Sequence, residues 1–208
     1  MIDIRGQLDA IHRTVGKRPD GDGSEVIGVL LTRSYPAPID DVWEALTDPG
    51  RVERWFLPLS GELRAGGSFR LEGNASGDIL ECEPPRRLKV TFGGPTSIVE
   101  LRLTAEAEGD TTVELEHTVP IEMAGSTAGA LYVGPGWDGA FMALDLFLVG
   151  EMAEDPVAAA GSPEAQEFSK QSVHLWRSVV EVSGGASDDE IAAATEVSLG
   201  QFAPDLAD

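Results

Sequence analysis

The sequence predicts an α+β protein in which a curved antiparallel sheet wraps a long C-terminal helix, with extra helices at both termini. Three observations carry that prediction. Residues 38–56 pattern as two short helices, each with a tryptophan on its apolar stripe. Between Val26 and Val119, about six short segments rich in β-branched and aliphatic residues are separated by turn signals, the signature of antiparallel strands. From Trp137 an apolar helix follows whose hydrophobic face is too wide for a single contact.

In chain order, residues 2–16 place Ile4, Leu8, Ile11 and Val15 at alternating four- and three-residue steps, which predicts an N-terminal helix with a narrow seam. Such a seam packs along another helix or across a protomer boundary, and with Trp176 on a later helix it suggests a homodimer. Lys17 to Glu25, interrupted by Pro19, Gly21 and Gly23, reads as a connector that closes an N-terminal region of residues 1–25. Val26 to Tyr35 reads as a strand. Ile39, Val42, Trp43 and Leu46 then recur at helical spacing, with Asp40 and Asp41 in the first turn where the helix dipole favours carboxylates. Asp48-Pro49 caps and opens a second helix carrying Val52, Trp55 and Phe56, while Arg51, Glu53 and Arg54 form a charged, solvated edge.

Gly61 to Glu72, Ser76 to Glu83 and Arg86 to Phe92 read as further strands. Ser97 to Glu106 and Thr111 to Val119 form a hairpin around Glu108-Gly109-Asp110. Ile121 to Gly136 lacks periodicity and gathers glycines, which predicts a long functional or mobile loop. Trp137 to Met152 is the long apolar helix, striped by Trp137, Phe141, Leu144 and Leu148. It closes a central domain of residues 26–152 and leaves a helical extension of residues 153–208. In that extension Ser162-Pro163 starts a helix bearing Phe168, Val173, Trp176 and Val180, Ser183-Gly184-Gly185 stops it, and a capping box from Ser187 to Glu190 opens a last helix over Ile191 to Phe202.

Fifteen Lys and Arg against 36 Asp and Glu in 208 residues give a formal charge of −21, a field that repels phosphate backbones and anionic lipid. Nucleic acid and membrane are therefore not expected partners. The single cysteine, Cys82, lies between carboxylates in a strand and reads as a half-buried structural thiol in a reducing compartment. No apolar run approaches a membrane span and the N-terminus has no signal-peptide pattern, so the expected location is cytoplasmic.

The chain carries no nucleophile elbow, no zinc-protease motif, no cysteine cluster and no phosphate-cradling loop. With one histidine near each terminus and one in a strand, no metal site is expected, and no cofactor is implied. His117 shares the inward phase of Val113, Leu115 and Val119, where an imidazole can serve as acid, base or hydrogen-bond donor, or simply as a bonded core residue. Asp138, at the mouth of the long helix, is the second catalytic candidate, by pairing with His117 or meeting a ligand; the helix dipole alone also explains an acid there. Asp145 is expected to be exposed. Trp43, Trp55, Phe56, Phe69, Trp137 and Phe141, together with His117, are the candidate lining of an apolar ligand site, and the same spacing also serves plain core.

The segments Ala37 to Pro49, Trp55-Phe56, Gly66-Gly67-Ser68-Phe69, Gly77 to Leu88, Leu115-Glu116-His117-Thr118 and Gly136-Trp137 resemble the SRPBCC or START-like superfamily. Within it they resemble the C-terminal domain of activators of the heat-shock-protein ATPase, over about Val26 to Leu148. The resemblance implies a helix-grip fold like that of birch-pollen allergens and a hydrophobic tunnel between sheet and helix. It leaves three functions open: binding of a small hydrophobic or aromatic molecule without catalysis, a chaperone-linked interaction module of the stress response, or a cyclase- or hydrolase-like enzyme using His117 and Asp138.

Overall fold

A computed structural model of the chain describes residues 2–21, 23–153 and 155–206. Its strands are β1 (His12–Pro19), β2 (Glu25–Tyr35), β3 (Leu59–Gly61), β4 (Ser68–Leu71), β5 (Ser76–Glu83), β6 (Arg87–Thr91), β7 (Ile98–Ala105) and β8 (Thr111–Pro120). They form one curved antiparallel sheet in the order β1-β2-β8-β7-β6-β5-β4-β3. The helices are α1 (Ile4–Asp9), α2 (Ile39–Thr47), α3 (Pro49–Val52), α4 (Ile121–Ala124), α5 (Gly134–Leu148), α6 (Pro156–Ala160), α7 (Pro163–Ser183) and α8 (Asp188–Phe202). The expected α+β class is what forms.

The chain divides into two compact units. The first comprises residues 1–31, 118–142 and 158–208. Here the N-terminal helix is shorter than its seam predicts: α1 ends at Asp9, and residues 12–19, expected as helix and connector, are strand β1. Arg13 and Val15 alternate with exposed neighbours in a run containing Thr14 and Gly16, which suits an extended chain paired with β2. Of Ile4, Leu8, Ile11, Val15 and Trp176, on which the dimer expectation rested, Leu8, Ile11 and Trp176 are buried within the chain and Ile4 and Val15 are half-buried.

Residues 121–136, expected as a loop, are ordered as α4 and a 3-10 turn over Thr127–Tyr132. Ala128, Ala130 and Leu131 are buried, and α7 and α8 pack on that turn. The Ser198 hydroxyl donates to the Leu131 carbonyl at 2.7 Å, and Ser183 donates to Thr127 at 3.0 Å. A Cβ on Gly134 would collide with the Trp176 indole, which explains glycine in a helix. The predicted caps at Ser162 and Ser187 form, the latter as a full capping box. α7, with 21 residues, is longer than the 15-residue α5.

The second unit comprises residues 32–117 and 143–157. α2 buries Val42, Trp43 and Ala45, with Asp40 and Asp41 in its first turn as expected. Trp55, just past α3, donates its indole N–H to the Ala45 carbonyl at 2.9 Å, which ties the helix pair together. β4, β5, β6 and β7 pair antiparallel, with Phe69 opposite Gly77, and a Cβ on Gly77 would run into the Thr91 carbonyl. Polar partners cross β5 to β8 as a ladder: Arg87 meets Glu81 and Glu100, and Arg102 meets Glu100, Glu114 and Glu116. Cys82 is half-buried on β5, where burial holds its thiol above the usual range.

Candidate functional site

Strand alternation puts His117 in the buried phase of β8 with Val113 and Leu115. Its Nε2 lies 2.8 Å from the Ser97 hydroxyl, and both residues are buried. The Phe92 ring meets the imidazole edge-on with centroids 6.0 Å apart, and Phe69 stacks on Phe92 at 6.2 Å. Rings from β4, the end of β6 and β8 thus form a row. Burial lowers the His117 pKa to about 4, so the imidazole is neutral at physiological pH. A neutral imidazole bonded to a hydroxyl is a weak base; it suits directional hydrogen bonding in an apolar setting.

Asp138 lies in the first unit and is fully buried. Both of its oxygens accept from the Arg13 Nε, at 3.0 and 2.8 Å, and Oδ2 also accepts from the Ser172 hydroxyl and, at 3.2 Å, from the Trp176 indole. The Arg13 Nη1 donates in turn to the carbonyls of Leu8 and Ile11. Burial pushes the carboxyl up to about 6 against the pull of Arg13, Ser172 and Trp176. This carboxylate is occupied in joining β1, α5 and α7, so the expected pairing with His117 finds no support in its contacts.

The other candidates separate by environment. In the second unit Trp43, Trp55 and Phe69 are buried and Phe56 is half-buried, stacked on Trp55 at 5.4 Å. In the first, Phe141 is buried and Trp137 half-buried. Asp145, expected to be exposed, is 13% exposed and bridges Arg33 at 2.7 Å, because a carboxylate on the apolar stripe of α5 requires a cation. The Arg33 guanidinium also lies 5.2 Å from the Tyr35 ring centroid, and burial lifts the Tyr35 phenol above its usual range. Arg51 and Arg54, expected as a solvated edge, both lie over the Phe147 ring, at 5.4 and 5.2 Å, while Arg51 also meets Asp41 at 2.7 Å.

Sequence reasoning missed Arg13, Arg33, Phe92 and Ser97. Arg33 had a signal, since it falls in the buried phase of Ile27, Val29, Leu31 and Tyr35. Ser97 had none. Among the described residues no group of three potential metal ligands gathers, and no helix is long and apolar enough to cross a membrane.

Comparison with known proteins places this geometry in context. CalU16 from Micromonospora echinospora, solved by crystallography, is 41% identical over 82% of this chain and 98% of its own, with a TM-score of 0.67. DynU16, a protein of the dynemicin biosynthetic locus, is 28% identical over 62% of this chain and 50% of its own, with a TM-score of 0.52. PFC0360w, an Hsp90 activator from Plasmodium falciparum, is 20% identical over 59% of this chain and 96% of its own, with a TM-score of 0.50, a likeness of fold alone. No curated protein sequence matches the chain. The sequence profile described as activator of Hsp90 ATPase homolog 1-like protein matches residues 36–148. With more than half of its length so matched, and with a structure 41% identical across most of it, the chain belongs to the activator of Hsp90 ATPase homolog 1-like family.

Proposed function

We propose that the protein binds a small hydrophobic or aromatic molecule on the ring-lined face of its second unit, without chemistry of its own. The observation that carries the reading is the row of Phe69, Phe92 and His117, in which one neutral imidazole, bonded to Ser97, is the polar group among aromatic rings. Ligand sites characteristically combine apolar and aromatic walls with a few placed polar groups. Trp43, Trp55 and Phe56 are the further lining proposed from this unit. The absence of catalysis in this reading follows from the low basicity of His117 and from the occupation of Asp138. The likeness to DynU16, a protein of the dynemicin biosynthetic locus, supports an organic guest. The net charge of −21 accords with a cytoplasmic protein that approaches neither membrane nor nucleic acid.

The test is titration with N-phenyl-1-naphthylamine, a neutral apolar fluorophore, combined with thermal unfolding and native mass spectrometry of the freshly purified chain. Binding at a hundredfold excess over Kd stabilises by about 2.7 kcal/mol, enough for a clear rise in Tm. No fluorescence change, no thermal shift across an apolar library and no retained small molecule would sink the reading. A second reading, docking to a chaperone ATPase, is favoured by the family description and by the charged ladder centred on Arg87, Glu100 and Arg102. Stimulation of an Hsp90 ATPase that disappears on reversing Arg102 to Glu would support it.

A further inference from the structure

We infer that β1 is a docking edge, along which a partner protein adds an extended strand that sets an aromatic side chain opposite Gly16 and a carboxylate opposite Arg18. This surface lies in the first unit and does not depend on the ring-lined face.

Among the described residues β1 ends the sheet, with β2 on one side and no strand on the other. A terminal strand presents a row of backbone N–H and C=O groups, and another extended chain satisfies such a row in register. β1 has eight residues, whereas β3, which ends the sheet on the other side, has three. Two devices that commonly blunt an edge, a lysine and a proline, stand only at its end, as Lys17 and Pro19.

Arg13 and Val15 are half-buried while His12, Thr14, Gly16 and Arg18 are exposed, so one face of β1 is covered and the other is open. Gly16 stands within that open row. Its φ lies outside the left-handed region, and no described atom beyond its chain neighbours comes within 4 Å of where a Cβ would sit. Nothing inside the chain therefore calls for glycine. A strand glycine gives up side-chain packing, which is recovered when an aromatic ring from the next strand lies across it. The chain uses this device elsewhere, where Phe69 on β4 is opposite both Gly61 on β3 and Gly77 on β5. β2 carries no aromatic residue before Tyr35, its last, so the ring for Gly16 comes from the added strand.

Charge supports the carboxylate. Residues 10–19 include Arg13, Lys17 and Arg18 and no acid, in a chain whose formal charge is −21. Arg13 is committed to Asp138, and Lys17 bridges Glu25 at 2.7 Å with both side chains exposed, a kind of pair that is worth little. Arg18 is exposed on the same face as Gly16, and its five N–H donors serve more than one acceptor. A carboxylate two positions from the aromatic residue thus meets Arg18 while the ring lies over Gly16. A second copy of β1 in that place would set cations against cations, so the occupant is a different strand.

The test uses the full chain and a capped octapeptide of threonine and valine that carries one phenylalanine and, two positions away, one glutamate. Calorimetry is expected to show binding, and hydrogen exchange to show slowed amides confined to β1. N-methylation of alternate peptide amides, which removes the strand donors, should abolish binding. Replacing the phenylalanine by valine, or the glutamate by lysine, should each weaken it about 2- to 5-fold. Gly16→Val should keep or raise thermal stability yet erase the preference for phenylalanine, and Arg18→Glu should reverse the preference for glutamate over lysine. No binding of any of these peptides, binding that survives N-methylation, protection outside β1, or a phenylalanine preference that survives Gly16→Val overturns the inference. A concentration-dependent dimer with protected β1 amides overturns it in favour of a second copy.

Discussion

His117 and Asp138 are both buried, both titratable and both set on apolar stripes, yet their surroundings treat them oppositely. In the second unit the imidazole has a hydroxyl and aromatic rings for company, and burial strips it of charge, with a pKa of about 4. In the first unit the carboxylate touches a guanidinium, a hydroxyl and an indole N–H, and these hold it to about 6 despite complete burial, so it is ionised at neutral pH. The difference shows what a polar residue in a buried phase becomes. Beside a counter-charge drawn from distant elements it becomes a charged joint of the fold, and where burial dominates it becomes a neutral hydrogen-bonding group.

The largest effect should come from breaking the joint. Asp138→Ala leaves Arg13, 7% exposed, without its anion, and one-sided removal of a buried ion pair costs about 3–5 kcal/mol. Replacing both partners, Arg13→Met with Asp138→Leu, should return stability to within about 1–2 kcal/mol of wild type, because apolar groups of similar volume replace a pair that was costly to desolvate. His117→Phe, which removes the partner of the buried Ser97 hydroxyl, should cost about 1–3 kcal/mol. Chemical denaturation of the four proteins checks the order. If Asp138→Ala proves no costlier than His117→Phe, the distinction between charged joint and neutral hydrogen-bonding group is lost.

The same pair gives opposed responses to acid. The folded-state pKa of Asp138 is raised from 3.8 to about 6, so its contribution is fully present below about 4 and is lost as pH rises through about 6. The folded-state pKa of His117 is lowered from 6.5 to about 4, so its contribution is present above about 6.5 and is lost as pH falls through about 4. Each is worth up to about 3 kcal/mol, and over pH 4 to 6 they offset one another. Asp138→Asn should therefore steepen the loss of stability on acidification relative to wild type, while His117→Phe should reduce it or turn it into a gain. Identical pH slopes in all three proteins would remove the electrostatic contrast.

The sequence was legible where signals are local. Caps and first-turn prolines at Asp48-Pro49 and Ser162-Pro163, the stripe through Val42 and Trp43, and the strands from Ser76 to Val119 formed as expected, because each is decided within a few residues, whereas Gly61 to Glu72, read as one strand, holds only the end of β3 and, after a turn, β4. Residues 12–19 misled because a two-residue alternation of Arg13 and Val15 overlaps the four- and three-residue steps from Ile4, and sheet pairing decided between the two periods. Residues 121–136 misled for a longer-range reason. Their order comes from Ser183, Trp176 and Ser198, each more than forty residues beyond the residue it covers, and glycine content alone does not report such cover. In the site, His117 was legible by strand phase, whereas Ser97, read only as the start of a strand, carried no mark of a partner until the fold placed it 2.8 Å from the imidazole.

The smallest effect tests whether exposed cations obey a different rule from Arg13. Arg54 is exposed, and its guanidinium lies 5.2 Å from the Phe147 ring centroid, with Arg51 at 5.4 Å over the same ring. An exposed cation over an aromatic face has lost little hydration, so Arg54→Gln should cost only about 0.5–1 kcal/mol. Phe147→Leu removes the ring beneath both arginines while keeping apolar volume, and should cost more than Arg54→Gln. The double substitution should then cost no more than Phe147→Leu alone, since the arginine has nothing left to act on. Additive losses in that cycle would mean that Arg54 acts through solvent-exposed charge rather than through the ring, and that the rule drawn from the buried joints does not extend to this edge.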